Sequence, residues 1–221
     1  MNKSPVIAID GPSGSGKGTI ATRVAEKLGY SLLDSGALYR VLGVACHLQD
    51  IDLADTSAVA NLAKNLDIEF GRSREGSVWL DGKDVSLVIR TDLGSDMASR
   101  VAAIGPAREA LFERQLAFRN PPGLVADGRD MGTTVFPDAQ LKIFLTASAQ
   151  ERAERRYKQL IGKGIDAILP DLLRDLKERD RRDSERPISP LTPAEDAIVI
   201  DTTDLTIEQV VSQILEHYVS A

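Results

Sequence analysis

Between an apolar run, Val6-Ile7-Ala8-Ile9, and an amphipathic stretch from about Lys17 to Leu28 stands Gly11-Pro12-Ser13-Gly14-Ser15-Gly16-Lys17-Gly18-Thr19. No other feature limits the possible folds as much. The apolar run is bounded by Pro5 and by glycines, which predicts a short buried strand. Ala21, Val24, Ala25 and Leu28 share one helical face, and Gly29 stops that helix. A glycine-rich turn from strand into helix points successive backbone N–H groups around an anion, and the helix N-terminus adds the positive end of its dipole. The frame G-x-x-x-x-G-K is complete from Gly11 to Lys17, and Lys17 can reach the outer phosphates of a bound nucleotide. A phosphate-binding loop over 11–19 is therefore expected. Gly18 stands where a Mg²⁺-binding hydroxyl usually sits, and Thr19 comes one later.

The same alternation recurs along the chain. Ser31-Leu32-Leu33 ends at Asp34, and Ser35 is placed to cap a helix to about Leu48; another helix is expected from about Thr56 to Asn65. Leu124-Val125-Ala126 ends at Asp127, and Leu141 to Leu145 is a further run. Ser148-Ala149-Gln150-Glu151 has capping-box spacing, and Ile198-Val199-Ile200 precedes a last helix, Thr206 to Val219. Five short apolar runs, each followed by helix, imply an α/β fold with a five-stranded parallel sheet covered on both faces. The texture differs at 67–85. Ile68-Glu69-Phe70, Ser77-Val78-Trp79-Leu80 and Lys83-Asp84-Val85 alternate, separated by Gly71, Gly76 and Asp81-Gly82. Asp-Gly between such runs is a hairpin signal, so a small antiparallel meander is expected there. A long helical stretch follows, Asp92 to Arg119, interrupted near Gly105-Pro106. Residues 151–186 hold 11 basic and 9 acidic side chains, too polar for a core, and read as a solvated or mobile helical excursion.

In parallel α/β sheets ligands sit beyond the carboxyl ends of the strands. Asp10-Gly11, Asp34-Ser35, Asp127-Gly128 and the turns after Leu145 and Ile200 are thus the positions to inspect. A buried strand ending in Asp127 suits Mg²⁺, held directly or through water, although Asp-Gly also makes a plain turn. Arg129 adds a cation beside it. Arg40, five residues into its helix, either reaches over the sheet edge or lies exposed. Arg179, Arg182 and Arg186 recur at i, i+3 and i+7, with Asp183 four residues after Arg179. Such a row suits a phosphoryl group in transfer, and equally a salt-laced surface helix. His47 and His217 sit in plain helical contexts without a Ser-His-Asp arrangement, so no covalent intermediate is expected.

Composition narrows the partners. A net charge of −6 and 5% aromatic residues disfavour nucleic acid. A single cysteine, Cys46, excludes an internal disulfide or a thiolate cluster and fits a reducing, cytoplasmic compartment. Met1 to Asp10 lacks the signal-peptide pattern, and no apolar run approaches a membrane span. The 18 Arg against 9 Lys lean towards anionic ligands.

The loop G-x-x-G-x-G-K-G-T resembles that of nucleoside monophosphate kinases rather than GTPases. The N-K-x-D tetrapeptide of GTPases is missing, since Asn2-Lys3 precedes the first strand. Together with L-L-D-S-G-A-L-Y-R, I-R-T, A-D-G-R-D-M-G-T-T-V-F-P-D-A and K-E-R-D-R-R-D-S-E-R-P-I-S-P-L, from Ile7 to Leu191, it is similar to the bacterial cytidylate kinases. That resemblance implies a P-loop kinase domain over 1–221, with an acceptor-binding region at 35–120, its β insertion at 67–85, and a short helical lid at 152–165. It implies Mg²⁺-dependent transfer of the ATP γ-phosphoryl group to CMP or dCMP. Gly11, Pro12, Ser13, Gly14, Ser15, Gly16, Lys17, Gly18 and Thr19 would bind ATP. Ser35, Arg40, Arg129 and Arg186 would line the acceptor ribose-phosphate pocket, while Ser99, Arg108 and Asp130 would read the cytosine. Arg179 and Asp183 would lie near the pentose and the phosphates, and Asp127 would hold the metal. Lys17, Arg129, Arg179 and Arg186 would carry the transfer. A monomer without nucleic-acid or membrane partners is expected. Two alternatives stay open: a P-loop kinase for another small acceptor, and a nucleotide-binding switch or RNA-associated ATPase that needs none.

Overall fold

The computed structural model describes residues 3–70, 76–162 and 164–220. Along the chain run β1 (Val6–Asp10), α1 (Lys17–Leu28), β2 (Ser31–Asp34), α2 (Ser35–Leu48), α3 (Thr56–Asn65), β3 (Ile68–Phe70), β4 (Val78–Leu80) and β5 (Lys83–Asp84). A 3-10 turn at Val88–Arg90 leads to α4 (Asp92–Val101) and α5 (Gly105–Leu116). Then come β6 (Leu124–Gly128), a π-type turn (Met131–Val135), β7 (Leu141–Thr146), α6 (Ala149–Ile161), α7 (Leu169–Glu185), β8 (Ile198–Asp201) and α8 (Ile207–Val219).

Two units divide the chain: Met1–Asp34 with Ala117–Ala221, and Ser35–Leu116. The first holds the expected five-stranded parallel sheet, in the order β2-β6-β1-β7-β8. All of β1 is buried, which is why it reads as one continuous apolar run. Ile7, Ile9, Val125 and Ile143 of the central strands pack with Ile20 and Val24 of α1 and Val210 and Ile214 of α8. Register matters for function here. Asp10 pairs with Gly128, and Asp34 with Asp127, so three strand-end aspartates stand at one edge of the sheet.

The second unit holds the antiparallel sheet β3-β4-β5. Asp81 and Gly82 take φ of 48° and 73° between β4 and β5, as a type I′ hairpin requires. Gly71, read from sequence as a separator, lies outside the described residues. In this unit α2 packs on α4 and α3 on α5. The interruption in the long helical stretch falls at 102–104, so that Gly105 opens α5 and Pro106 occupies its first turn, where a missing N–H costs nothing.

Two capping expectations need correction. Ser35 is the first residue of α2, not its cap, and its Oγ donates to Gln115 Oε1 at 2.7 Å. At α6 only half of the capping box forms: Ser148 Oγ accepts from Glu151 N at 3.1 Å, while the Glu151 carboxylate pairs with Arg155. The complete box belongs to Thr206 and Gln209 at α8. The charged segment 151–186 forms two helices, and its polarity is partly internal. Arg152, Asp183 and Arg186 are buried in ion pairs rather than solvated. No helix among the described residues is long and apolar enough to cross a membrane.

Candidate active site

The phosphate loop joins β1 to α1 in the first unit. Gly11 has φ of 147°, and a Cβ there would lie 2.0 Å from the Leu145 carbonyl oxygen, so only glycine fits the start of the loop. Lys17 folds back over the loop, and its Nζ donates to Pro12 O at 2.8 Å. It is buried, and burial pushes its pKa down to about 7; Arg129 and Arg179 push the same way, and Asp127 and Asp10 oppose them. Ser13 is gripped twice: its Oγ accepts from Arg179 Nη1 at 3.3 Å and its carbonyl from Arg152 Nη1 at 2.9 Å. The Ser15 carbonyl accepts from Thr202 Oγ1 at 3.3 Å. Ser15 Oγ itself is buried and has no hydrogen-bond partner among the described residues.

Beside the loop, Asp10 holds the segment after β6. Its Oδ1 and Oδ2 accept from the backbone N–H groups of Met131 and Gly132, each at 2.8 Å. Burial raises its pKa to about 7 against the pull of those two bonds, and Asp130 and Asp127 add to the rise. This clamp fixes the chain immediately after Arg129 and Asp130. Arg129 Nε donates to Asp183 Oδ2 at 3.1 Å, and Arg179 Nε lies 4.0 Å from the same oxygen. Asp183 therefore bridges two guanidiniums, and Arg129 is the nearer. Arg186 Nη2 lies 3.5 Å from Asp130 Oδ1, with both side chains 4% exposed. The regular arginine row departs from its expected geometry. Arg186 stands just past the end of α7 in extended conformation, whereas Arg179 and Arg182 keep the predicted i, i+3 spacing on α7, Arg182 also pairing with Glu178 at 3.8 Å. What orients Arg186 is Ser189, whose carbonyl accepts from Arg186 Nε and whose Oγ accepts from Thr134 Oγ1 at 3.1 Å.

A metal would have few protein ligands here. Among the described residues no three His, Cys, Asp or Glu side chains gather as a cage. The Asp10 carboxylate is engaged by two backbone amides, whereas Asp127 lines an open cleft of about 440 Å³ with Gly18, Thr19 and Asp34. A Cβ on Gly18 would sit 3.5 Å from Asp127 Oδ2, so the space normally filled by a metal-binding hydroxyl side chain is open at this carboxylate. Asp127, with Asp34 in the same open cleft, fits Mg²⁺, which is held by one or two carboxylates and keeps several waters.

The second unit carries the other residues singled out in the sequence. Arg40 lies on α2 and Ser99 is buried on α4. Arg108 is buried on α5, stacks over Tyr39 at 5.7 Å and donates to Ala102 O at 3.4 Å. Sequence reasoning gave no role to Asp10, Arg152, Asp180 or Ser189. Asp10 carried a usable signal as the acid that ends β1. The other three act through hydrogen bonds made by folding; Asp180 and Ser189 lie within the motif 177–191, but nothing in it singles them out, and Arg152 lies in no motif.

Residues 7–220 match the family model described as cytidylate kinase. A cytidylate kinase of Cupriavidus necator is 57% identical over 213 residues, covering 96% of this chain and 95% of that one. One from Stutzerimonas stutzeri is 56% identical over 216 residues, covering 96% and 94%. One from Aeromonas salmonicida is 54% identical over 215 residues, covering 97% and 94%.

Proposed function

The chain belongs to the cytidylate kinase family, enzymes that move the γ-phosphoryl group of ATP to CMP or dCMP, and we propose how its residues divide that work. The loop 11–19 binds the ATP phosphates through backbone N–H groups, and Ser15 Oγ turns its unused hydrogen-bonding capacity to them. Lys17 leaves Pro12 O for the β and γ phosphates, and their charge returns it to the protonated form. A phosphate oxygen of CMP attacks the γ-phosphorus, a new P–O bond forms, and the bond to the β-phosphate oxygen breaks to release ADP. That attacking oxygen is already anionic, so no general base is needed. Arg129, Arg179 and Arg186 neutralise charge spreading over the equatorial oxygens, and Asp183 keeps Arg129 and Arg179 apart at a set spacing. Asp127 would hold Mg²⁺, directly or through water, and the ion would supply further charge neutralisation.

Asp130 reads the base. Cytosine has an amino donor at C4 where uracil has a carbonyl acceptor, so an ionised carboxylate accepts from the first and repels the second. Ser35, Arg40, Ser99 and Arg108 of the second unit contribute acceptor contacts, and the segment 152–165 serves as a lid. This reading needs neither nucleic acid nor a second copy of the chain. The observation that carries it is the run of charges Lys17, Arg129, Asp183, Arg179 around the tip of the phosphate loop.

Asp130→Asn tests the base-reading role. An unpaired buried polar group costs about 1–3 kcal/mol, so kcat/KM for CMP should fall roughly tenfold or more. The CMP-to-UMP ratio should narrow, because an amide also donates. An unchanged ratio in a stably folded variant would rule this role out.

A further inference from the structure

The protein itself takes up most of the donors of Arg152. Nε donates to Ala147 O at 3.0 Å, Nη1 to Ser13 O at 2.9 Å and to Asp180 Oδ1 at 3.1 Å, and Nη2 to Asp180 Oδ2 at 2.5 Å. A guanidinium has five N–H groups, so little is left for a ligand. The side chain is 4% exposed, and burying such a charge is costly unless it is paired and hydrogen-bonded. The loop is shaped to admit it. Gly14, with φ of 80°, faces Arg152 so closely that a Cβ there would stand 3.2 Å from the Arg152 Cβ.

The contacts of Arg152 join three pieces of the first unit: the root of α6, the tip of the phosphate loop, and α7 at Asp180. Asp180 directly follows Arg179 on that helix, and Arg179 makes its own contact with the loop, Nη1 donating to Ser13 Oγ at 3.3 Å. Ser13 is thus the point where loop and helix are locked together, its carbonyl held by Arg152 and its hydroxyl by Arg179. We propose that Arg152, through Asp180 and Ser13, is a positioning residue that sets the register between the ATP phosphates and Arg179 and Asp183 on α7. It touches neither substrate. It lies in the first turn of α6, where the segment assigned as the lid begins. The proposal rests on the transfer role given to Arg179.

Arg152→Lys keeps the charge but loses the planar fork, and Asp180→Asn keeps the shape but loses the charge. Steady-state kinetics with ATP and CMP, together with melting temperatures, should be measured for both, for their double variant and for Arg179→Lys. Misplacement of the transfer arginine should lower kcat on the order of 10- to 100-fold in each single variant. The KM for CMP should stay within about twofold, because no acceptor contact is lost. The double variant should be no slower than the worse single one, since both break the same link. If Arg152→Lys does not fold, Asp180→Asn decides the matter, because its partly exposed side chain keeps its shape. A folded Asp180→Asn enzyme with wild-type kcat overturns the proposal, as does a loss confined to the KM for CMP, or losses that multiply in the double variant. If Arg179→Lys lowers kcat while the Arg152 and Asp180 variants do not, only the positioning role falls. If Arg179→Lys keeps full kcat, the transfer reading falls and the proposal with it.

Discussion

Replacing Asp183 by Asn removes an anion shared by Arg129 and Arg179 while keeping the side chain's shape. The carboxylate is 5% exposed, and the two guanidiniums, each 19% exposed, stand 3.1 and 4.0 Å from it. Unit charges about 4 Å apart interact with about 4 kcal/mol at an effective dielectric of about 20. Removing one partner of a buried pair costs about 3–5 kcal/mol, and the partial exposure of both arginines lowers this to about 2–3 kcal/mol. For a chain of this size, that corresponds to a melting-temperature drop of about 5–10 °C. Substrates should narrow the gap, because phosphate oxygens then supply the anion both arginines have lost. Differential scanning calorimetry of Asp183→Asn and wild type, without ligand and with ADP plus CDP, measures both effects. Turnover should fall as well, since two transfer arginines lose their common anchor. A variant that melts within about 1 °C of wild type and retains full kcat would refute the claim that Asp183 organises the pair.

Lys17→Ala should lower kcat on the order of 10²–10³-fold or more with the fold retained, as expected when one preorganised cation is lost; circular dichroism and ADP-release kinetics check both, and an active variant would refute the loop assignment. ATP binding should also take up a proton. Free Lys17 has a pKa of about 7, so at pH 8 it is mostly neutral, and the triphosphate raises that pKa and draws a proton in. Binding enthalpies at pH 8 in two buffers of different ionisation enthalpy should therefore differ for wild type and agree for Lys17→Ala. Proton release, or no buffer dependence, would contradict the assignment.

The sheet was legible because burial on both faces leaves no room for polar residues in Val6 to Ile9 or Leu141 to Leu145, Lys142 excepted. The phosphate loop was legible because Gly11 and Lys17 are demanded by backbone shape and charge within nine consecutive residues. Asp81-Gly82 announced its hairpin for the same local reason. What stayed hidden depends on contacts between distant segments. Nothing in the sequence around Asp10 says that its carboxylate takes the amides of Met131 and Gly132, 121 and 122 positions away. Helical spacing placed Arg182 three residues after Arg179 on α7, as found, but could not show its pair with Glu178. The same spacing carried the helix through Arg186, which the chain instead turns out past α7, where Ser189 receives it in a left-handed backbone conformation. A charged run likewise hides which of its members fold inward: Arg152 and Arg155 are three apart on α6, yet the first is buried and the second is partly exposed.

ADP release from ATP and Mg²⁺ by the full chain, measured in turn with CMP, dCMP, UMP, AMP, GMP and dTMP, tests the transfer reaction and its base choice most directly. The geometry around Lys17, Asp130 and the three arginines predicts fast release with CMP and dCMP, slower release with UMP, and little with purine acceptors or with no acceptor. Release of equal rate without any monophosphate, or a clear preference for AMP or GMP, would contradict it.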